Sequence, residues 1–370
     1  MAVLLVLASA LAGAIARVAA AAEPPAAEPA EGGEALAVRW TQSIEEAIRR
    51  VSQRFKGRIA LYAIDPELGV RAGHDFERPS YLASGVKVTF MLGVFSQAHA
   101  GQLSLDEELT YDDEAVRDGA PVLKPKRIGS RLKIRELLDA MIRHSDNSAS
   151  DMLARRVGLS NIQRELVESG FDGFTPLTYL IDVRRGILRE VDLHADDFTP
   201  AQIRDIRYVV GWQAQAAKLT QVLGRPPGTY RKEELQAAFD RYYEIGVNSA
   251  RLDSVAAIFE RMLRRELVSP EASDAMLELL SDVKTSKHRI LGKLPPGVRV
   301  RHKTGSQYER ICDLGIIDLP DRHPLIVTLC LAGGNDRNLA EATLAELARH
   351  VYDLAVTAHR GHATARKDSR

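Results

Sequence analysis

Ser84 and Lys87 stand three residues apart at the head of an apolar run, residues 88–95. On a helix that spacing puts both side chains on one face. A serine hydroxyl is a weak nucleophile until a base takes its proton. A lysine desolvated by apolar neighbours can lose its own charge and be that base. The pair alone carries little, because Ser130 with Lys133 and Ser281 with Lys284 share the spacing. Ser130 reads as the cap of a helix over 133–143, and Ser281 as part of a polar joint. Ser84 is set apart by two downstream partners, in order: Ser145-Asp146-Asn147, then Lys303-Thr304-Gly305-Ser306.

These groups need elements to bring them together. Ser43 with Glu46 forms a capping box, and Ile44, Ala47, Ile48, Val51 and Phe55 share one face, so the first helix is expected to start at Ser43. Residues 58–64 and 69–75 read as a strand pair across a Pro66–Gly69 turn. Helices are expected at 133–143, just before Ser145, and at 149–157. Residues 182–243 are charged and mostly helical in pattern. Three strands come next, at 298–303, 311–319 and 325–331, then a last helix capped by Asn335 or Asp336. The expected fold is α+β, an α/β two-lobe arrangement. One antiparallel five-stranded sheet is built from both ends of the chain and flanked by the terminal helices, with an all-helical lobe inserted between.

The three motifs in this order resemble those of class A β-lactamases and penicillin-binding proteins. The similarity runs from about Ser43 to about Asp353, interrupted by a helical insertion over about 183–245. The resemblance implies a serine hydrolase without cofactor or metal, acting on a β-lactam or a peptide. Ser84 would be the nucleophile, Lys87 its base and Ser145 a relay to the leaving nitrogen, a task that suits a group able to donate and accept. Asn147, Lys303, Thr304, Gly305 and Ser306 would hold substrate, with Gly305 leaving room against the strand and the Ser84 and Ser306 N–H groups forming an oxyanion hole. Asp146 would fix its loop. His144 and His302 flank the motifs without a metal-binding partner and read as structural or surface. The family's glutamate, which activates the water that releases the acyl group, has no counterpart over 177–185. Asp182 and Glu190 are the nearest carboxylates. The alternatives are therefore a D,D-peptidase or esterase, or a penicillin-binding protein acylated without turnover.

The chain has 370 residues, 45% hydrophobic, with 50 basic and 50 acidic side chains. That balance speaks against nucleic-acid binding. Residues 1–22 read as an export signal, although no basic residue precedes the apolar core, which leaves an uncleaved anchor open. Residues 23–40 read as a disordered linker, 41–358 as the hydrolase domain and 359–370 as a disordered tail. The expected protein is an exported, periplasmic or extracellular monomer, with no membrane association beyond the signal. The aromatic residues of the insertion are expected to form its own small core, or a lid. Cys312 and Cys330 flank a hairpin symmetrically. They could bridge, but the preferred reading is two buried apolar thiols.

Overall fold

The computed structural model describes residues 32–334 and 336–368, so the signal and the start of the linker lie outside the described residues. Helix α1 (Gly33–Val51) begins well ahead of Ser43. The reason is its stripe: Leu36, Trp40, Ile44, Ile48 and Val51 recur three or four apart and are all buried, so the apolar face continues upstream of the capping box. Ser43 is an interior helix residue, with its hydroxyl 3.0 Å from a ring nitrogen of His350. The expected disordered linker is thus helical from residue 33.

Five strands make the sheet: β1 (Arg58–Asp65), β2 (Val70–His74) and, much later in the chain, β7 (Val300–Gln307), β8 (Arg310–Asp318) and β9 (Pro324–Ala332). Their order is β2-β1-β9-β8-β7, with every pairing antiparallel. The expected five-stranded sheet from both chain ends is what the structure contains. Strand β1 shows why it needs two covers: all its residues but the first are buried, so both faces are dry. Ile59, Leu61 and Ala63 turn towards α1 and the last helix, α12 (Arg337–Asp368), whereas Ala60, Tyr62 and Ile64 join the core of the helical side.

α12 corrects the expected disordered tail, since it continues past residue 359 to 368. His359 fastens it: one ring nitrogen lies 2.8 Å from Asp65 and the other 3.2 Å from Asp321. Asp336 caps the helix, accepting from the Asn338 and Leu339 N–H groups.

Cys312 and Cys330 are joined by a disulfide, against the preferred reading of free thiols. The β8–β9 register sets them directly opposite, with Cα atoms 4.1 Å apart, and that close facing pair supplies the geometry. Ser130 is likewise not a helix cap. It opens β5 (Ser130–Lys133), opposite Tyr111 of β4 (Glu108–Tyr111), and α3 (Ile134–Arg143) starts only afterwards.

The helical side is organised around α2 (Lys87–His99), whose first nine residues are all buried. A helix apolar all round must be enclosed, and α3, α4 (Asn147–Val157) and α5 (Leu159–Glu168) surround it. The inserted lobe comprises α6 (Leu180–Arg189), α7 (Pro200–Tyr208), α8 (Trp212–Val222) and α9 (Lys232–Glu244). β6 (Ser249–Ala250) then pairs with β3 (Ser80–Tyr81), returning the chain beside the Ser84 turn, and α10 (Leu252–Leu263) and α11 (Pro270–Ser281) lead back to the sheet.

Part of the lobe has the small core expected of it, with Phe198, Ile203, Ile206 and Leu219 packed together. Its largest aromatics do something else. Trp212 and Phe239 pack on Tyr308 at the β7–β8 turn, and Tyr243 packs on Phe239 and on Tyr81. The Tyr243 hydroxyl donates to the Tyr308 carbonyl at 2.7 Å. The lobe is thereby fixed to the hairpin and to the strand entering the Ser84 turn.

Candidate active site

Ser84 lies in a single 3-10 turn, Ala83–Val86, that runs directly into α2. Ala83 holds φ at 48° and Ser145 at 58°, left-handed values uncommon for residues with a Cβ. Both candidate hydroxyls thus sit on or beside constrained backbone, a state that surrounding packing has to maintain. Among the described residues no hydrogen bond engages the Ser84 hydroxyl. It lines a cavity of about 480 Å³ together with Ser145, Asn147, Thr304 and Ser306. The Ser84 N–H is near the start of its turn, where backbone donors lack an intrahelical acceptor.

Lys87 points beneath the cavity floor and is fully buried. Three oxygens surround its Nζ: the Ser145 carbonyl at 2.6 Å, Asn147 Oδ1 at 2.8 Å and Ser145 Oγ at 3.2 Å. Burial, reinforced by the nearby Lys303 charge, holds Lys87 well below the ordinary lysine range, against the pull of Asp146 and Asp151. Lys303, also fully buried, donates to Ser145 Oγ at 3.0 Å and to the Thr304 carbonyl at 3.0 Å. Burial pushes it down to about 7, with Asp313 opposing and Arg289 adding to the fall. Ser145 Oγ therefore stands between two amines, each with a weakened hold on its proton.

Local chemistry accounts for these positions. Asp146 caps α4 through the Ala149 N–H and accepts from the Val122 and Leu123 N–H groups, so it ties the Ser145 loop to the segment across the cavity. Asn147 gives its amide N–H to the Asp118 carbonyl at 2.7 Å, which aims Oδ1 at Lys87. β7 is an edge strand, so one side of its backbone has no strand partner. Gly305 has a reason other than the expected room for substrate. A Cβ there would lie 2.0 Å from the Leu82 carbonyl oxygen, so the close approach is between the strand and the Ser84 turn.

Several contributors were not legible in the motifs. Arg289, fully buried, donates to the carbonyls of Gly305 and Cys312 and to Ser306 Oγ at 2.6 Å, bracing the strand from behind. The Thr304 hydroxyl meets that of Thr285 at 2.6 Å. His302 is buried against Asp313 at 2.7 Å, and Asp313 also takes the Ile290 N–H. His144 lines the cavity as the residue closing α3. A group able to hold a metal is formed by Asp321 and His323 of the β8–β9 turn with His359 of α12, and none of its members lines the cavity.

The carboxylates depart from the motif pattern. Among the described residues the cavity lining contains no Asp or Glu. Asp182 is paired with Arg185, and Glu190 with Arg241 at 3.4 Å. In their place Leu180, Val183 and Arg184 of α6 face the cavity. The start of α6 is held there by Asp151, which accepts from the Leu180 and Ile181 N–H groups and from Arg117 Nε at 2.7 Å.

Residues 43–355 match the model of the family described as the β-lactamase enzyme family. The chain belongs to that family. The β-lactamase VEB-1 of Pseudomonas aeruginosa is 20% identical over 85% of this chain and 89% of its own length. A β-lactamase of Amycolatopsis lactamdurans is 28% identical, but over 31% of this chain, and the chain spans 37% of that relative. The crystal structure of the extended-spectrum β-lactamase TLA-3 superposes with a TM-score of 0.65, at 18% identity, over 85% of this chain and 99% of that one. A variant of PBP-A, solved as an acyl-enzyme complex with penicillin G, superposes with a TM-score of 0.64 at 16% identity, over 89% of this chain and 99% of that one. At these identities the structural likeness fixes the fold, and it does so equally for both kinds of neighbour.

Proposed function

We propose that the protein is an exported serine hydrolase that opens β-lactams through an acyl-enzyme on Ser84. The observation carrying this reading is the buried chain of groups from Lys87 through Ser145 Oγ to Lys303, set beside the Ser84 hydroxyl, which no hydrogen bond engages among the described residues. The Ser84 oxygen attacks the lactam carbonyl carbon and its proton passes to neutral Lys87. The charge gathering on the carbonyl oxygen is met by the Ser84 and Ser306 N–H groups. As the carbon–nitrogen bond breaks, the proton reaches the leaving nitrogen by way of Ser145. Lys303, charged below about pH 7, and Thr304 receive the substrate carboxylate. Water then cleaves the ester. The disulfide supports an oxidising compartment.

The carboxylate-free lining favours a second reading for that last step, in which the acyl group stays on Ser84, as in a penicillin-binding protein, or is released slowly. Incubation with a chromogenic cephalosporin, monitored by colour and by intact protein mass, decides between them. Sustained colour with little adduct means turnover. A stable adduct means a trapped acyl-enzyme. The absence of both, with Ser84→Ala indistinguishable from the wild type, would overturn the serine mechanism.

A further inference from the structure

A second cavity of about 540 Å³ adjoins the first, sharing Arg184, Ser306, Gln307 and Arg337 with it. It opens beyond the Gln307 end of β7, and its outer wall is the inserted lobe, through Arg207, Trp212 and Phe239. The strand fixes how a ligand would run. With the ring carboxylate at Lys303 and Thr304 and the reacting carbonyl at Ser84 and Ser306, the acyl substituent points past Gln307 into this second space.

The chemistry of that space is uneven. Asp118, largely buried, serves two guanidinium groups: it accepts from Arg184 Nε at 3.0 and 3.1 Å and lies 3.5 Å from Arg207 Nε. Glu341 likewise serves both Arg289 and Arg337. The carboxylate in the lining itself, Glu309, sits at the turn beside Tyr308. The three arginines of the lining, Arg184, Arg207 and Arg337, therefore share their carboxylate partners, the first two with each other and the third with Arg289. Among the described residues no hydrogen bond engages the rest of the Arg184 guanidinium, and Arg207 donates from Nη1 to Gln215 Oε1 at 3.2 Å while its Nε meets Asp118 only in the 3.5 Å ion pair. Beside these cations, the rings of Trp212 and Tyr308 meet edge to face with centroids 4.9 Å apart, forming an aromatic corner.

Resting on the reading of Ser84 as the acylated residue, we propose that the inserted lobe builds an acyl-side subsite for β-lactams whose side chain joins a carboxylate to an aromatic ring. The carboxylate meets Arg184 and Arg207, and the ring packs against Trp212 and Tyr308. A charge-assisted bond in a partly dry site discriminates by about tenfold or more.

The test compares benzylpenicillin with its α-carboxy analogue, by the second-order rate of adduct formation in intact mass, so that turnover is not required. The analogue is expected to react about tenfold faster with the wild type, with the preference falling towards unity in Arg207→Gln and in high salt. Binding is read separately. The chain has two tryptophans, so a Trp40→Phe background leaves Trp212 as the reporter for phenylmalonate, with neutral phenylacetamide as control. Quenching by phenylmalonate that weakens in Arg207→Gln supports the subsite even if neither penicillin acylates Ser84, an outcome that would sink the proposed function alone. Equal reactivity of the two penicillins, together with no preference of Trp212 for the charged probe, overturns the subsite.

Discussion

The cavity has two walls of opposite character. On the side formed by α2 and the sheet, Lys87, Lys303, Arg289 and His302 are nearly or fully buried, and each has hydrogen-bonding partners among its neighbours. On the lobe side, Arg184 and Arg207 share one carboxylate, Asp118, and part of Arg184 is open to the cavity. Desolvation makes the first wall reactive, because an amine denied water gives up its proton easily. The second wall keeps its charge, because a guanidinium does not deprotonate in a protein. Under the proposed function, the first wall would perform the reaction and the second would select the molecule that reacts.

The harshest way to break this division is Ser84→Ala. It should abolish adduct formation, by roughly a thousandfold or more, while leaving the circular dichroism and the Trp212 response to phenylmalonate unchanged. Loss of both signals would mean that the walls are not separable. Replacing Cys312 and Cys330 together by serine loosens only the sheet side. It should lower stability by about 3 kcal/mol, read from the urea midpoint, since the bond closes a loop with a sequence separation of 18.

The pH profile sharpens the comparison further. Below the depressed pKa of Lys87 the amine is protonated and cannot accept, so acylation should fall on the acid side. Above about 7 Lys303 loses its charge, and kcat/KM (or the acylation rate constant) for carboxylate-bearing substrates should fall by up to about tenfold per pH unit. Lys303→Arg should remove that alkaline limb, because a guanidinium stays charged. The smallest effect is expected on the lobe. Tyr208→Phe loses one bond, from its hydroxyl to the Arg117 carbonyl at 3.2 Å. It should cost at most about 1 kcal/mol in thermal unfolding and leave acylation untouched.

Legibility in the sequence tracks the range of the interactions. Ser84 with Lys87, and Ser145 with Asn147, are local patterns whose side-chain directions are set within one turn, so the short motifs were enough to nominate them. The sheet was legible because its strands are apolar runs bounded by turns. Arg289, Asp118 and Arg184 were not, because each acts on residues far off in the chain and no local spacing marks them. The disulfide failed for a related reason: two cysteines flanking a hairpin do not reveal the register that makes them face. The start of α1 was misplaced because a good capping box at Ser43 outweighed Leu36 and Trp40, which extend the same stripe. The approach of the Leu82 carbonyl to Gly305 was not legible, since Leu82 arrives there through the fold and not through local spacing.

The sheet's middle strand is the last one to be made. Thr328 of β9 reaches back across 266 residues to the Tyr62 carbonyl, and β1 can join the edge strand bearing Lys303 only through β9 and β8. A ribosome that has released the Ser84 turn, the Ser145 loop and even the whole lobe has still not delivered the plank on which they close. The site can therefore close only once β9 is in place, and a chain cut short before β9 holds the Ser84 turn without the ordered sheet that carries Lys303 to it.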